Sequence, residues 1–186
     1  MTGTRVVIAV VGALVLGVTA CSGSDPEPRV APPSSTSTSP TTSPSPSAPT
    51  MPAAARGTDA ASAEAFVRFY WEMVNYAQAT GDVAGLRLLG DKCIGCDAAI
   101  KFIQSSYEGG GRIIGGVGRP AKFQTVFVTE QGKRWASTEY RVKTTSQRVD
   151  RPGEHHDQTY PGGLTDVRMY LEPTNGAWLV RSLVTL

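Results

Sequence analysis

The sequence lacks an apolar run long enough to cross a membrane as a helix. Its longest, Val6 to Val18, holds about a dozen residues, and a spanning helix needs ~20. It also has few of the residues that make chemistry easy to read. Only two histidines and three cysteines occur in 186 residues, which leaves little from which to build a metal site. Neither charge sign dominates. Eighteen Lys and Arg face sixteen Asp and Glu, for a net charge of +2, so charge gives no argument for nucleic acid or for an acidic partner. The glycine-rich run from Gly109 to Gly118 contains no Gly-x-Gly-x-x-Gly that follows a strand and opens a helix, so nucleotide binding fails on context. No internal repeat is found, and no carboxylate pair or strand histidine is spaced to specify a reaction.

The N-terminus is the most informative stretch. Arg5 precedes the Val/Ala/Leu-rich run, whose length suits the apolar region of a secretory signal. The run ends Val18-Thr19-Ala20-Cys21, which resembles a bacterial lipobox. The resemblance implies a signal peptide over 1–20, cleavage before Cys21 and lipidation of its thiol. An ordinary secretory signal, with Cys21 an accidental thiol, is the alternative. Two or three acyl chains would hold the mature protein on the membrane, because each buried methylene contributes ~0.8 kcal/mol. The expected location is the extracytoplasmic face of the cell membrane.

Residues 21–57 then form a Pro/Ser/Thr-rich tether, as in Pro32-Pro33-Ser34-Ser35-Thr36 and Ser43-Pro44-Ser45-Pro46-Ser47. So little large apolar surface cannot offset the entropy of ordering, and the segment is expected to be disordered. At ~3.1 Å per residue it could extend to ~110 Å at most. Its Ser/Thr-Pro pattern could also accept sugars.

Residues 58–186 are long enough for one domain with its own core. Thr58-Asp59 opens a helix whose apolar positions Phe66, Phe69/Tyr70, Met73/Val74 and Ala77 recur at helical spacing to about Ala79, where Gly81 stops it. A short helix from Val83 to Leu89 follows. A third runs from the Cys93-Ile94-Gly95-Cys96 motif to Tyr107. The period then changes to two. Strands are expected at 112–117, 121–129, 134–145, 164–172 and 177–185, with 146–163 as a long connection and Asn175-Gly176 as a tight turn. The fold class is therefore α+β, helices packed on one face of a curved antiparallel sheet. The order of elements, ending Gly176-Ala177-Trp178-Leu179-Val180, looks like the nuclear transport factor two-like cone. That resemblance implies a long first helix across a bent sheet, with a pocket at the bend. The phrase Phe66-Val67-Arg68-Phe69-Tyr70-Trp71-Glu72-Met73-Val74-Asn75-Tyr76-Ala77-Gln78-Ala79-Thr80-Gly81-Asp82, followed by Cys93-x-x-Cys96, also resembles uncharacterised actinobacterial lipoproteins. This resemblance implies fold and address but no activity.

Several places could carry chemistry. Cys93 and Cys96, three apart at a helix start, are within disulfide range, and an exported protein meets oxidising conditions. A structural bond is favoured over a thiol–disulfide oxidoreductase, which wants a βαβ context, and over zinc, which wants four ligands. Glu154-His155-His156-Asp157 holds both histidines, but neighbours in an extended chain point apart, and an exposed loop is favoured over a metal site. Lys133, Arg134, Arg141, Lys143, Arg148 and Arg151 cluster along one hairpin and read as a solvated face.

Glu139, Arg141, Asp166 and Arg168 are the charges deep within strands. Glu139 and Asp166 are the candidate catalytic carboxylates if they point into the cone. Salt-bridged pairs on the solvent side are favoured, because the opposite faces (Ala136, Tyr140, Val142; Val167, Met169, Leu171) are more apolar. Tyr70, Trp71, Tyr107 and Trp178 are the candidates for lining a ligand pocket, against the alternative of filling the core. No cofactor or metal is expected. The leading expectation is a non-catalytic binding or interaction domain, meeting an envelope protein or a small molecule. An extracytoplasmic isomerase or dehydratase is the alternative.

Overall fold

A computed structural model describes residues 46–90, 92–153 and 157–186. The expectations for the signal peptide, for Cys21, for most of the tether and for Glu154-His155-His156 fall outside these residues.

The first helix, α1 (Ala60–Thr80), begins where the sequence caps it. The Asp59 carboxylate accepts the Ser62 N–H at 2.8 Å, and the Ser62 hydroxyl accepts the Asp59 N–H at 3.1 Å. This reciprocal cap satisfies donors that the first turn leaves free. Gly81, at φ 79°, ends the helix in the left-handed region, with the Tyr107 ring packed over it. One face of α1 buries Phe66, Val67, Phe69, Tyr70, Met73, Val74 and Ala77. Helices α2 (Ala84–Leu89) and α3 (Ile94–Tyr107) follow.

Seven antiparallel strands complete the body: β1 (Arg112–Gly115), β2 (Gly118–Glu130), β3 (Lys133–Thr144), β4 (Gln147–Asp150), β5 (Gln158–Tyr160), β6 (Gly163–Thr174) and β7 (Ala177–Thr185). They form two ladders, β2-β3-β6-β7 and β1-β4-β5. The two ladders share one long hairpin. β1 runs on into β2 as β3 runs on into β4, and both arms turn at the same level, at 115–117 and 145–146. The curvature expected of one sheet is thus concentrated at a corner where positive φ at Gly115 and Gly116 interrupts the regular register between the two ladders. α1 lies on the inner face against β1, β2 and β3, while α3 packs on β7 and β1. Phe66, Val67, Ile103, Val142, Val149, Met169, Leu171 and Val180 fill the space between. Helices packed on one face of a curved antiparallel sheet, in this order, are the α+β arrangement expected from the sequence.

Two expectations change. The stretch 146–163, read as a connection, contains β4 and β5. β4 escapes a periodicity search because it carries one apolar residue, the fully buried Val149, and β5 is exposed throughout. The body also begins before residue 58. Ala53–Ala55 make a turn of 3-10 helix with Ala55 fully buried, Met51 packs on the core, and the Gly57 N–H donates to the Gly176 carbonyl at 3.2 Å. A composition rule weighted by proline and serine passes over Met51 and Ala55, which are apolar enough to dock.

Candidate functional site

The corner of the hairpin faces α1, and there the helix changes character. Trp71, Asn75 and Gln78 are spaced four and three apart, so they stand on one line along the helix. Each reaches a different part of the corner. The Trp71 indole N–H donates to the Tyr140 hydroxyl at 3.2 Å. The Asn75 amide clasps Gly118 from both sides, accepting its N–H at 2.8 Å and donating to its carbonyl at 2.9 Å. The Gln78 carbonyl oxygen accepts from the Gln147 side-chain amide at 2.9 Å.

Two glycines make this approach possible. A Cβ on Gly118 would stand 2.5 Å from the Trp71 ring. One on Gly116, whose φ is 72°, would press into both the Gln78 and Gln147 amides. The corner itself is tied by Gly116 N–H to Ser146 carbonyl at 2.9 Å, Thr145 N–H to Val117 carbonyl at 3.1 Å and Val117 N–H to Thr145 Oγ1 at 2.9 Å.

Beside the corner lies a cavity of about 200 Å³, open to solvent, with Trp71, Gln78, Thr144, Gln147, Tyr160 and Pro161 in its wall. Among the described residues its lining carries no carboxylate, ammonium, guanidinium or imidazole. It offers amide groups, hydroxyls and aromatic carbon. Burial pushes the Tyr140 hydroxyl behind it above its ordinary pKa, a shift that the hydrogen bond from Trp71 partly offsets. Tyr140 therefore stays a neutral phenol across physiological pH.

The four aromatic candidates divide. Trp71 reaches the cavity. Tyr107 stands behind it, its hydroxyl donating to the Gln78 backbone carbonyl at 2.7 Å. Tyr70 and Trp178 are core residues, 2 % and 3 % exposed, and the Trp178 indole N–H donates to Ser62 Oγ at 3.2 Å. Sequence reasoning missed Gln78, Thr144, Gln147 and Tyr160. The available signal was the line of Trp71, Asn75 and Gln78, uncharged side chains able to hydrogen bond, along one edge of an amphipathic helix, with a glycine cluster elsewhere in the chain.

Glu139 and Asp166 stand on the other side of the sheet, opposite the buried Tyr140, Val142, Val167 and Met169. Each is directly across from an arginine in the β3–β6 register. Arg141 grips Asp166 with two hydrogen bonds of 2.7 Å, and Arg168 Nε donates to Glu139 at 2.9 Å. The side chains of both pairs are between 35 % and 47 % exposed. Hydrogen bonding from Arg141 holds the Asp166 carboxyl below its ordinary pKa. A second open hollow of about 330 Å³ touches these residues together with Lys122 and Leu186.

Cys93 and Cys96 are joined in a disulfide with Cα atoms 5.2 Å apart. Both are almost fully buried, 0 % and 1 % exposed, and the Cys96 N–H points at Cys93 Sγ at 3.3 Å. Gly90 pairs with Val180 just before the motif, and Gly95 lies against the Leu183 backbone within it. The bond closes the first turn of α3, the helix that packs on β7. Among the described residues no three His, Cys, Asp or Glu side chains group as a metal site, and no helix is long and apolar enough to cross a membrane.

The family described as "Family of unknown function (DUF6318)" matches residues 34–183. The chain belongs to DUF6318. That span takes in the corner, the cavity and the disulfide, so the site belongs to the part of the chain that defines a DUF6318 protein. No curated protein matches the chain. Among solved structures it is similar to the intermembrane space region of chloroplast protein ARC6, at 15% identity over 69% of this chain and 97% of that one, with a TM-score of 0.53. It is also similar to Aln2 from a Streptomyces species, at 13% identity over 70% of this chain and 93% of that one, with a TM-score of 0.39. A chain whose title begins Rd1NTF2 gives 13% identity, coverage of 69% and 100%, and a TM-score of 0.39. At such identities the ARC6 likeness concerns fold alone, and the two weaker matches carry no argument about DUF6318.

Proposed function

We propose that this protein is a lipid-anchored binding module on the extracytoplasmic face of a bacterial cell membrane, a lipoprotein of the actinobacterial kind, and that the cavity at the sheet corner is where it meets its ligand. The address rests on the lipobox-like ending at Cys21 and the Pro/Ser/Thr-rich stretch behind it, and a disulfide suits an oxidising compartment. The observation that carries the binding reading is the composition of the cavity wall. Among the described residues it converges polar groups and aromatic surface on one hollow lined by no acidic or basic side chain. The isomerase or dehydratase alternative needs a carboxylate inside the cone with its pKa displaced upward. Glu139 and Asp166 lie on the open face in the grip of arginines, and Asp166 is displaced downward.

Two measurements on the full chain test this. Metabolic labelling with an alkyne fatty acid should mark the protein in the membrane fraction, and Cys21→Ser should abolish the label. An unmodified Cys21 in cytosolic material removes the address. Hydrogen exchange, with and without envelope extract, should show protection confined to 114–118 and 144–147. Unchanged exchange in both segments removes the binding site.

A further inference from the structure

The wall of the corner cavity says what kind of ligand fits. Gln78 and Gln147 are hydrogen bonded to each other through one amide N–H and one carbonyl. Whichever way the two amides are oriented, the pair retains one NH2 group and one carbonyl oxygen, and neither has another partner among the described residues. A donor and an acceptor left over on one pair complement hydroxyls, which both donate and accept. Thr144, close to the pair, adds a further hydroxyl to the wall.

The other half of the wall is aromatic. Trp71 is held by its bond to Tyr140 and by Gly118 behind the ring. Tyr160 stands directly across the β4–β5 ladder from Gln147. It is 39 % exposed, and its ring is steadied edge-on by Phe102 at 6.0 Å between centroids. An amide pair that reads hydroxyls and a fixed ring that packs against C–H groups lie within one small hollow. Among the described residues the wall carries no formal charge, which disfavours an ionic ligand, whose desolvation these side chains would not offset.

We propose, on the basis of the corner-cavity reading above, that the ligand is an uncharged saccharide: one pyranose or furanose ring seated between Trp71 and Tyr160, with its hydroxyls on the Gln78–Gln147 pair. The cavity is smaller than the usual drug-sized site of ~300 Å³ or more, so it takes about one ring, and the rest of an oligosaccharide lies along the open rim. So few contacts give weak binding, with Kd on the order of 0.1–1 mM.

The test is saturation-transfer NMR on the full lipidated chain in nanodiscs. The probes are neutral tetrasaccharides of glucose, mannose, galactose, arabinose and N-acetylglucosamine, a tetragalacturonate as the anionic counterpart, tetraglutamine as a peptide, and uridine. At least one neutral saccharide is expected to receive saturation. Gln147→Leu and Tyr160→Ala should each weaken that signal by about tenfold or more in apparent Kd while leaving the melting temperature within a few degrees of wild type. Tyr160 lies on an exposed edge strand, so its removal tests the site without endangering the fold. Silence from every neutral saccharide overturns the proposal, as does a signal that both variants leave untouched. If tetragalacturonate, tetraglutamine or uridine alone protects 114–118 and 144–147 from exchange, the saccharide assignment falls while the corner remains a binding site. If the corner is unprotected even by envelope extract, both readings fall.

Discussion

Gly95 sits in the Cys-x-x-Cys motif, on the first turn of α3, with a backbone conformation that any residue can adopt. Gly95→Ala therefore pits two effects against each other. Replacing glycine stiffens the unfolded chain and suits a helix, which stabilises by ~0.4–1 kcal/mol. Against this, the new methyl would lie far inside contact distance of the Leu183 carbonyl oxygen and 3.2 Å from its carbon. The obstacle is the backbone of β7, which has no rotamer to change. α3 cannot slide away cheaply either, because the Gly90–Val180 bridge holds the chain to β7 just before the helix and the Cys93–Cys96 bond stiffens the turn that carries Gly95. Overpacking of this kind costs ~1–3 kcal/mol, and a rigid obstacle puts this site at the upper end. The clash wins, and the net is a loss of about 2 kcal/mol. For a body of this size that is a fall in Tm of roughly 5–10 °C. The assay is thermal denaturation followed by circular dichroism at pH 7 under non-reducing conditions. Gly163→Ala serves as control, since nothing lies within 4 Å of a Cβ there, and its Tm should barely move. A Gly95→Ala protein that melts at or above wild type would refute the reasoning, because helix propensity would then have outweighed the contact.

Two further outcomes follow from the same geometry. Asn75→Ala removes both hydrogen bonds to Gly118 and leaves a buried N–H and carbonyl without partners, so urea unfolding should show a loss of ~2–3 kcal/mol; a loss below about 0.5 kcal/mol would mean that water replaces the amide. Asp59 and Asp166 both have folded pKa values lowered from an ordinary 3.8 by hydrogen bonds, from Ser62 and Arg141 respectively. Their contribution is complete above that ordinary value and is lost as pH falls through the lower folded values. Tm should therefore decline below about pH 4, less steeply in the Asp59→Asn, Asp166→Asn double variant, and for Asp166 less steeply still in high salt. An identical acid profile in the double variant would count against both interactions.

How much of this was legible in the sequence depended on whether the information was local. The ends of α1 were readable because Asp59 and Gly81 act on their own neighbours. β7 was readable because Asn175 and Gly176 turn the chain with positive φ by themselves. The outward placement of Glu139 and Asp166 followed from comparing the two faces of their strands. β4 was not legible, since its one core contact, Val149, is a single residue among polar ones. The cavity was least legible. Gln78 and Gln147 are 69 positions apart, and nothing near either announces the other. The aromatic residues drew attention by size, yet Tyr70 and Trp178 are held in the core by the same helical and strand periodicity that made them conspicuous.

The docked segment before α1 fixes where the chain joins the body. Gly57 is fastened to the β6–β7 turn at one end of α1, whereas Trp71 and Gln78 belong to the other half of the helix. At 1.5 Å per residue, ~20–30 Å of rigid rod separates root from hollow. On the anchoring proposed above, the attachment point is rooted at one end of α1 and the corner hollow lies towards the other.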